Sequence, residues 1–215
     1  MSGTSTKMLQ AAAGAGGDFG AVAYVASLLA DSITSIDISD PSSLTELDSL
    51  SNASLEGAFD VALDLTNQIA YVVSLNADSI TSIDISNPNS LTELDSLSNA
   101  NLNSAIGVAL DLTNQVAYVA SVAADRITSI DISDPNSLTE LDSLTNANLD
   151  GAQSVALDLT NQVAYVASSS DSITSIDISN PNSLTELDSL SNANLGNALG
   201  VALDIPGPAS TNAYE

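Results

Sequence analysis

The 215-residue chain carries 27 acidic and two cationic side chains, a net charge of −25, and no cysteine, histidine or tryptophan. Disulfides, thiolate metal sites and cysteine nucleophiles are excluded, and the usual general base near neutral pH is missing with histidine. Lys7 and Arg126 are the only cations, so a phosphate clamp, a nucleic-acid groove or a surface for anionic membranes cannot be built.

The first residues, MSGTSTKMLQAAAGAGGDFG, mix small and polar side chains and lack the apolar core of a secretory signal. They read as a flexible arm over residues 1–20. No stretch of the chain reaches the roughly 20 consecutive apolar residues of a membrane span. The acidic surface is expected to keep the protein soluble, with screening by salt relieving its self-repulsion.

From Ala21 onward the chain repeats itself four times. Tyr24, Tyr71, Tyr118 and Tyr165 recur every 47 residues, and TNQVAYVAS stands letter for letter at Thr113–Ser121 and Thr160–Ser168. A fixed period of this length marks a propeller, solenoid or array. Within one repeat, GVALDLT from Gly107 is an apolar run, Asn114-Gln115 a turn, and VAYVAS a second β-rich run. RITSIDIS then alternates, Asp134-Pro135-Asn136 breaks the chain, SLTELDSL alternates again, and TNANLDGA is a turn-rich linker. Four short strands per repeat predict a four-stranded antiparallel propeller blade. Its first two strands are apolar on both faces and belong between neighbouring blades. The fourth, bearing Glu140 and Asp142, reads as a solvated outer edge.

The ends are out of phase. The first repeat lacks the VALD strand, and the C-terminus supplies Gly200-Val201-Ala202-Leu203-Asp204. The expected architecture is therefore all-β: a four-bladed β-propeller over 21–205, its ring closed by pairing the C-terminal strand with the N-terminal one, followed by a tail over 206–215. Two chains joining into an eight-bladed ring is the alternative.

Asp64, Asp111, Asp158 and Asp204 hold one repeat position. They are a candidate cation ring for Ca²⁺ or Mg²⁺, which prefer oxygen ligands; alternatively each caps a turn. Asp37, Asp84, Asp131 and Asp177 are expected to bond the following Ser-Asx-Pro turn. Glu46, Glu93, Glu140 and Glu186, with Asp48, Asp95, Asp142 and Asp188, form an acidic stripe read as a solvated strand face. The four repeat tyrosines are expected in the core with their hydroxyls on polar groups. Arg126 stands where the other repeats have serine and is assigned only local charge pairing. Every carboxylate is repeated fourfold, so none stands out as catalytic and no organic cofactor is expected.

The segments AYVAS and SITSIDISDPSSLTELDSL resemble the LVIVD-type propeller repeat. Its D-[IV]-S-[DN]-P pattern matches Asp37-Ile38-Ser39-Asp40-Pro41, Asp84-Ile85-Ser86-Asn87-Pro88, Asp131-Ile132-Ser133-Asp134-Pro135 and Asp177-Ile178-Ser179-Asn180-Pro181. SLTEL departs from the family's proline-led last strand. The resemblance covers about residues 21–205 and implies a β-propeller with surface interactions and no defined catalytic residues. The leader MSGTSTKMLQAAAGAGG is similar to that of repeat-rich structural proteins of marine tailed bacteriophages, which implies a virion attachment peptide. Together these give the expectation of a non-enzymatic display protein in a phage virion. It would contact copies of itself, other virion proteins or a host-surface receptor, with no nucleic acid and no membrane insertion. A cell-surface adhesion or filament protein is the alternative, and a propeller hydrolase the third reading.

Overall fold

The computed structural model describes residues 20–205; the arm and the tail assigned above lie almost wholly outside them. Fifteen strands form four antiparallel sheets. Blade 1 holds β1 (Val22–Ser27), β2 (Ser32–Asp37) and β3 (Thr45–Ser51). Blade 2 holds β4 (Ala58–Asp64), β5 (Ile69–Ser74), β6 (Ser79–Asp84) and β7 (Thr92–Ser98). Blade 3 holds β8 (Ala105–Asp111), β9 (Val116–Ser121), β10 (Arg126–Asp131) and β11 (Thr139–Thr145). Blade 4 holds β12 (Ala152–Asp158), β13 (Val163–Ser168), β14 (Ser172–Asp177) and β15 (Thr185–Ser191). This is the expected β-propeller of four blades, each an up-and-down meander.

Local chemistry explains the turns. The left-handed residue between the first two strands is glutamine, at Gln68 (φ 58°), Gln115 (φ 56°) and Gln162 (φ 54°), and not the asparagine before it. The asparagine instead bonds the aspartate that ends the first strand. Between the second and third strands the left-handed residue is aspartate, at Asp31, Asp78, Asp125 and Asp171. The first three carboxylates accept the N–H of the residue just before the next blade, Gly57, Ser104 and Gly151, and Asp171 accepts that of Asn197 after the last blade, at 2.8–3.1 Å. The linkers themselves form short 3₁₀ turns capped by Asn52, Asn99, Asn146 and Asn192, whose side chains accept an N–H two residues on.

The core lies between blades. Three apolar clusters join blade 1 to blade 2, blade 2 to blade 3, and blade 3 to blade 4. Polar bonds fasten the same three junctions. Ser35 Oγ accepts Asp48 N–H across the bulge in its own blade and donates to Pro88 C=O of the next at 2.6 Å. Ser82 on Pro135 and Ser129 on Pro181 repeat it at the same length. Asp48, Asp95 and Asp142 each accept the N–H of the next blade's leucine, Leu91, Leu138 and Leu184, at 2.7 Å. Asn52, Asn99 and Asn146 donate to Glu93, Glu140 and Glu186 at 2.6–2.9 Å. The acidic stripe is therefore not a solvated edge at these positions but an inter-blade fastening. Alternation shows which residues leave the plane of a sheet, and in a propeller that side also meets a neighbour.

The expected pairing of the C-terminal strand with β1 is not present. Residues 198–205 form no strand, and the sheet order of blade 1 is β1-β2-β3, with the inner edge of β1 unpaired among the described residues. The physical reason lies in the stacking. Blades pack in sequence, β1 on β4, β4 on β8 and β8 on β12, and no apolar cluster of the described residues joins blade 4 to blade 1. The last segment continues from blade 4 at the opposite end of the row from β1. Among the described residues no helix is long and apolar enough to cross a membrane.

Candidate functional site

Three of the four aspartates of the proposed cation ring are committed to a turn. Asp64 Oδ1 accepts the N–H groups of Thr66 and Asn67 at 3.0 Å, and its Oδ2 accepts Asn67 Nδ2 at 2.7 Å. Asp111 and Asp158 make the same three bonds within 0.1 Å, and Asp204 is exposed. No group of three or more carboxylates able to hold a metal occurs among the described residues. The aspartates of ITSIDIS accept the N–H two residues on, at Ser39, Ser86, Ser133 and Ser179, as expected.

Tyr24, Tyr71 and Tyr118 are core residues, as expected, whereas Tyr165 in blade 4 is only half-buried. Tyr71 and Tyr118 are almost wholly buried. Burial, assisted by the charges of Asp64 and Asp111, pushes their hydroxyls up to about 12. Tyr24 and Tyr71 donate to Ile85 and Ile132 C=O of the next blade at 3.4 Å. Among the described residues Arg126 pairs with no charge; its bonds go to the oxygens of Ala124, Asn101 and Ser143.

The hydrogen bonds that hold these turns fix a pH dependence. The Asn161 side chain, then its N–H, holds the Asp158 carboxyl below its ordinary 3.8. Asp37 and Asp177 are lowered in the same way, first by the hydroxyls of Ser39 and Ser179. A carboxylate lowered on folding contributes stability that is complete above its unfolded value and lost as pH falls through the folded value. Protonation of the other carboxylates relieves the net charge of −25 and acts the opposite way. Melting temperature is therefore expected to rise as pH drops from neutrality, then fall steeply below about 4. Asp158→Asn should make that acid limb shallower; an unchanged limb would remove Asp158 from the account.

A different feature was missed in the sequence. The inner strands β4, β8 and β12 and Val201 line one groove of about 640 Å³. Its lining includes Asp60 and Ser154, two members of the column just before each VALD, and this column varies: Asp60, Gly107, Ser154 and Gly200. Gly107 is fixed by packing, since a Cβ there would lie 2.9 Å from Gln153 C=O and 3.2 Å from Ser154 Cα. Asp60 and Ser154 are buried polar residues that open on the groove. Asp60 Oδ1 accepts Val61 N–H at 3.1 Å and Oδ2 accepts Val108 N–H at 3.3 Å, so the carboxylate bridges two blades. The signal was available as a divergent column within near-identical repeats.

The LVIVD repeat profile matches residues 19–51, 68–98, 114–146 and 152–191. The chain belongs to the LVIVD repeat family. No curated protein matches it. Solved propellers do. A protein from Lactobacillus plantarum aligns at 16% identity and TM-score 0.69, covering 79% of this chain and 54% of its own. A putative 6-phosphogluconolactonase from Bacteroides fragilis aligns at 14% and 0.67, covering 80% and 55%. The periplasmic gluconolactonase of Pseudomonas aeruginosa aligns at 12% and 0.64, covering 79% and 54%. Identities this low establish the fold, and the LVIVD chain spans about half the length of each structure. The names nonetheless overturn the expectation of a phage virion display protein: three of the solved structures that the chain resembles are named for lactone chemistry. The same names count against the expectation that the chain is not an enzyme.

Proposed function

We propose that the protein binds and hydrolyses small uncharged sugar lactones in the groove over its inner strands. The observation that carries this reading is the divergent column. The repeats share VALD letter for letter at Val61–Asp64, Val108–Asp111 and Val155–Asp158, and of the differing residues on the strands that carry it, Asp60 and Ser154 are the ones that line the groove. Two relatives in fold are named as lactonases, which supports the reaction class.

A buried carboxylate held by two backbone N–H groups is a positioned base. Asp60 takes a proton from water as its oxygen attacks the lactone carbonyl carbon. The tetrahedral alkoxide collapses, the ring C–O bond breaks, and the departing ring oxygen takes up the proton to become a hydroxyl. Ser154 supplies a hydroxyl to orient the ligand. The product is a hydroxy acid, which ionises, and the protein's charge of −25 repels it from the groove.

The same charge selects the substrate. A phosphorylated lactone meets repulsion, and Arg126, the one cation among the described residues, is bound to Asn101 and Ser143 away from the groove. Hydrolysis of glucono-1,5-lactone is expected to exceed that of its 6-phosphate by at least about tenfold in kcat/KM, a gap that narrows with salt as charge is screened. Both rates should be followed by acid release at mildly acidic pH, where spontaneous opening is slow. No rate above buffer for the uncharged lactone would overturn the proposal.

A further inference from the structure

The two ends of the blade row are complementary halves of the junction used three times inside the chain. Every inter-blade bond has a giving side and a receiving side, and blade 4 shows the first without a partner while blade 1 shows the second. Leu91, Leu138 and Leu184 are 5–6% exposed beneath the preceding blade, whereas their counterpart Leu44 is 63% exposed. Pro88 is buried and Pro41 exposed, and Ile36 and Ile38 are more open than their buried counterparts in blades 2 to 4. At the other end, Leu187 and Leu190 are 56% and 58% exposed, while Leu94 and Leu97 and the pair Leu141 and Leu144 pack into the cores. Ser175, unlike Ser35, Ser82 and Ser129, reaches no proline carbonyl; its bond goes only to Asp188 of its own blade. Asp188 accepts Ser189 N–H instead of a leucine N–H. A cavity of about 180 Å³, lined by Tyr165, Ile173, Ser175, Asp188 and Leu190, opens on this face.

The chain is also set to enter a fifth blade. Asn197 is left-handed (φ 53°) and pinned by Asp171, as Ser104 is by Asp78. Three residues later comes Gly200-Val201-Ala202-Leu203-Asp204, the same five letters as Gly107–Asp111, which form the inner strand paired to β9. Blade 1 is the blade that lacks an inner strand.

We propose that a second copy of this chain closes the ring. Blade 4 of each copy seats on blade 1 of the other, and residues 200–204 of each complete the other's first sheet. Ser175 then donates to Pro41 C=O, Asp188 accepts Leu44 N–H, and Asn192 and Asn194 meet Glu46, as their counterparts do within the chain. Two identical head-to-tail junctions give an eight-bladed ring with two-fold symmetry. The curvature fits, because four blades superpose on about half the length of whole propellers, 54% and 55% for two of them. A second arc of the same size completes the circle.

The test is light scattering with size-exclusion chromatography on the 215-residue chain at physiological salt, where repulsion is screened. The expected mass is twice that of one chain. Leu190→Glu and Leu44→Asp lie on surfaces exposed in the single chain, so each should fold with the wild-type circular dichroism spectrum and run as a monomer. Mixed together, the two variants should recover a dimer, because one junction is intact between them. A monomeric wild type, a ladder of larger species, variants that stay dimeric, or a mixture that stays monomeric would each overturn the closed ring.

Discussion

Asp60→Asn is expected to lower kcat/KM for the uncharged lactone by about 100-fold or more, the range general-base loss produces. The amide keeps the shape of the side chain and one acceptor oxygen. One of the two N–H groups now held, Val61 or Val108, loses its partner, at a cost of about 1–2 kcal/mol. A modest drop in melting temperature should therefore accompany a large drop in rate, and the two must be measured together. Ser154→Ala removes a ligand contact and no base, so about tenfold is expected. Full activity in Asp60→Asn would take the carboxylate out of the reaction.

The fold was legible because each blade states its own pattern. VALD, AYVAS and ITSID read as strands from alternation and apolar runs, and the 47-residue spacing of the tyrosines required one packing environment per repeat. Asp131 could be assigned to its Ser133 turn because that bond is local. What failed was non-local. Glu140 looks solvated on its own strand and is half-buried only because Asn99 and Asn101 of the preceding blade donate to it. The phase of the termini shows that blade 1 lacks a strand. Which end meets which depends on the rotation between blades, set by contacts such as Gly107 against Ser154. Asp60 was overlooked for the opposite reason. Near-identity of the repeats argues against a site, whereas the groove is marked at one of the positions at which they differ, the column of Asp60 and Ser154.

Position in the row, rather than residue type, should decide what a core substitution costs. Leu102 and Leu195 occupy the same place in the same three-residue turn, Ala-Asn-Leu, each capped by an asparagine. Leu102 has no exposed surface and packs between blades 2 and 3 with Ile80, Ala105 and Ile130. Leu195, at the end of the row, is only half-buried. Leu102→Ala should cost about 2–5 kcal/mol, the transfer and cavity terms together. In a domain of this size that lowers the melting temperature by about 5–15 °C. Leu195→Ala leaves no closed cavity and should cost about 1 kcal/mol or less. The comparison belongs in the Leu190→Glu background, because ring closure would bury Leu195 as the interior junctions bury Leu102. There, equal losses for the two leucines would contradict the burial argument. In the wild-type background, a loss at Leu195 that grows with protein concentration would mark the same leucine as part of the junction between chains.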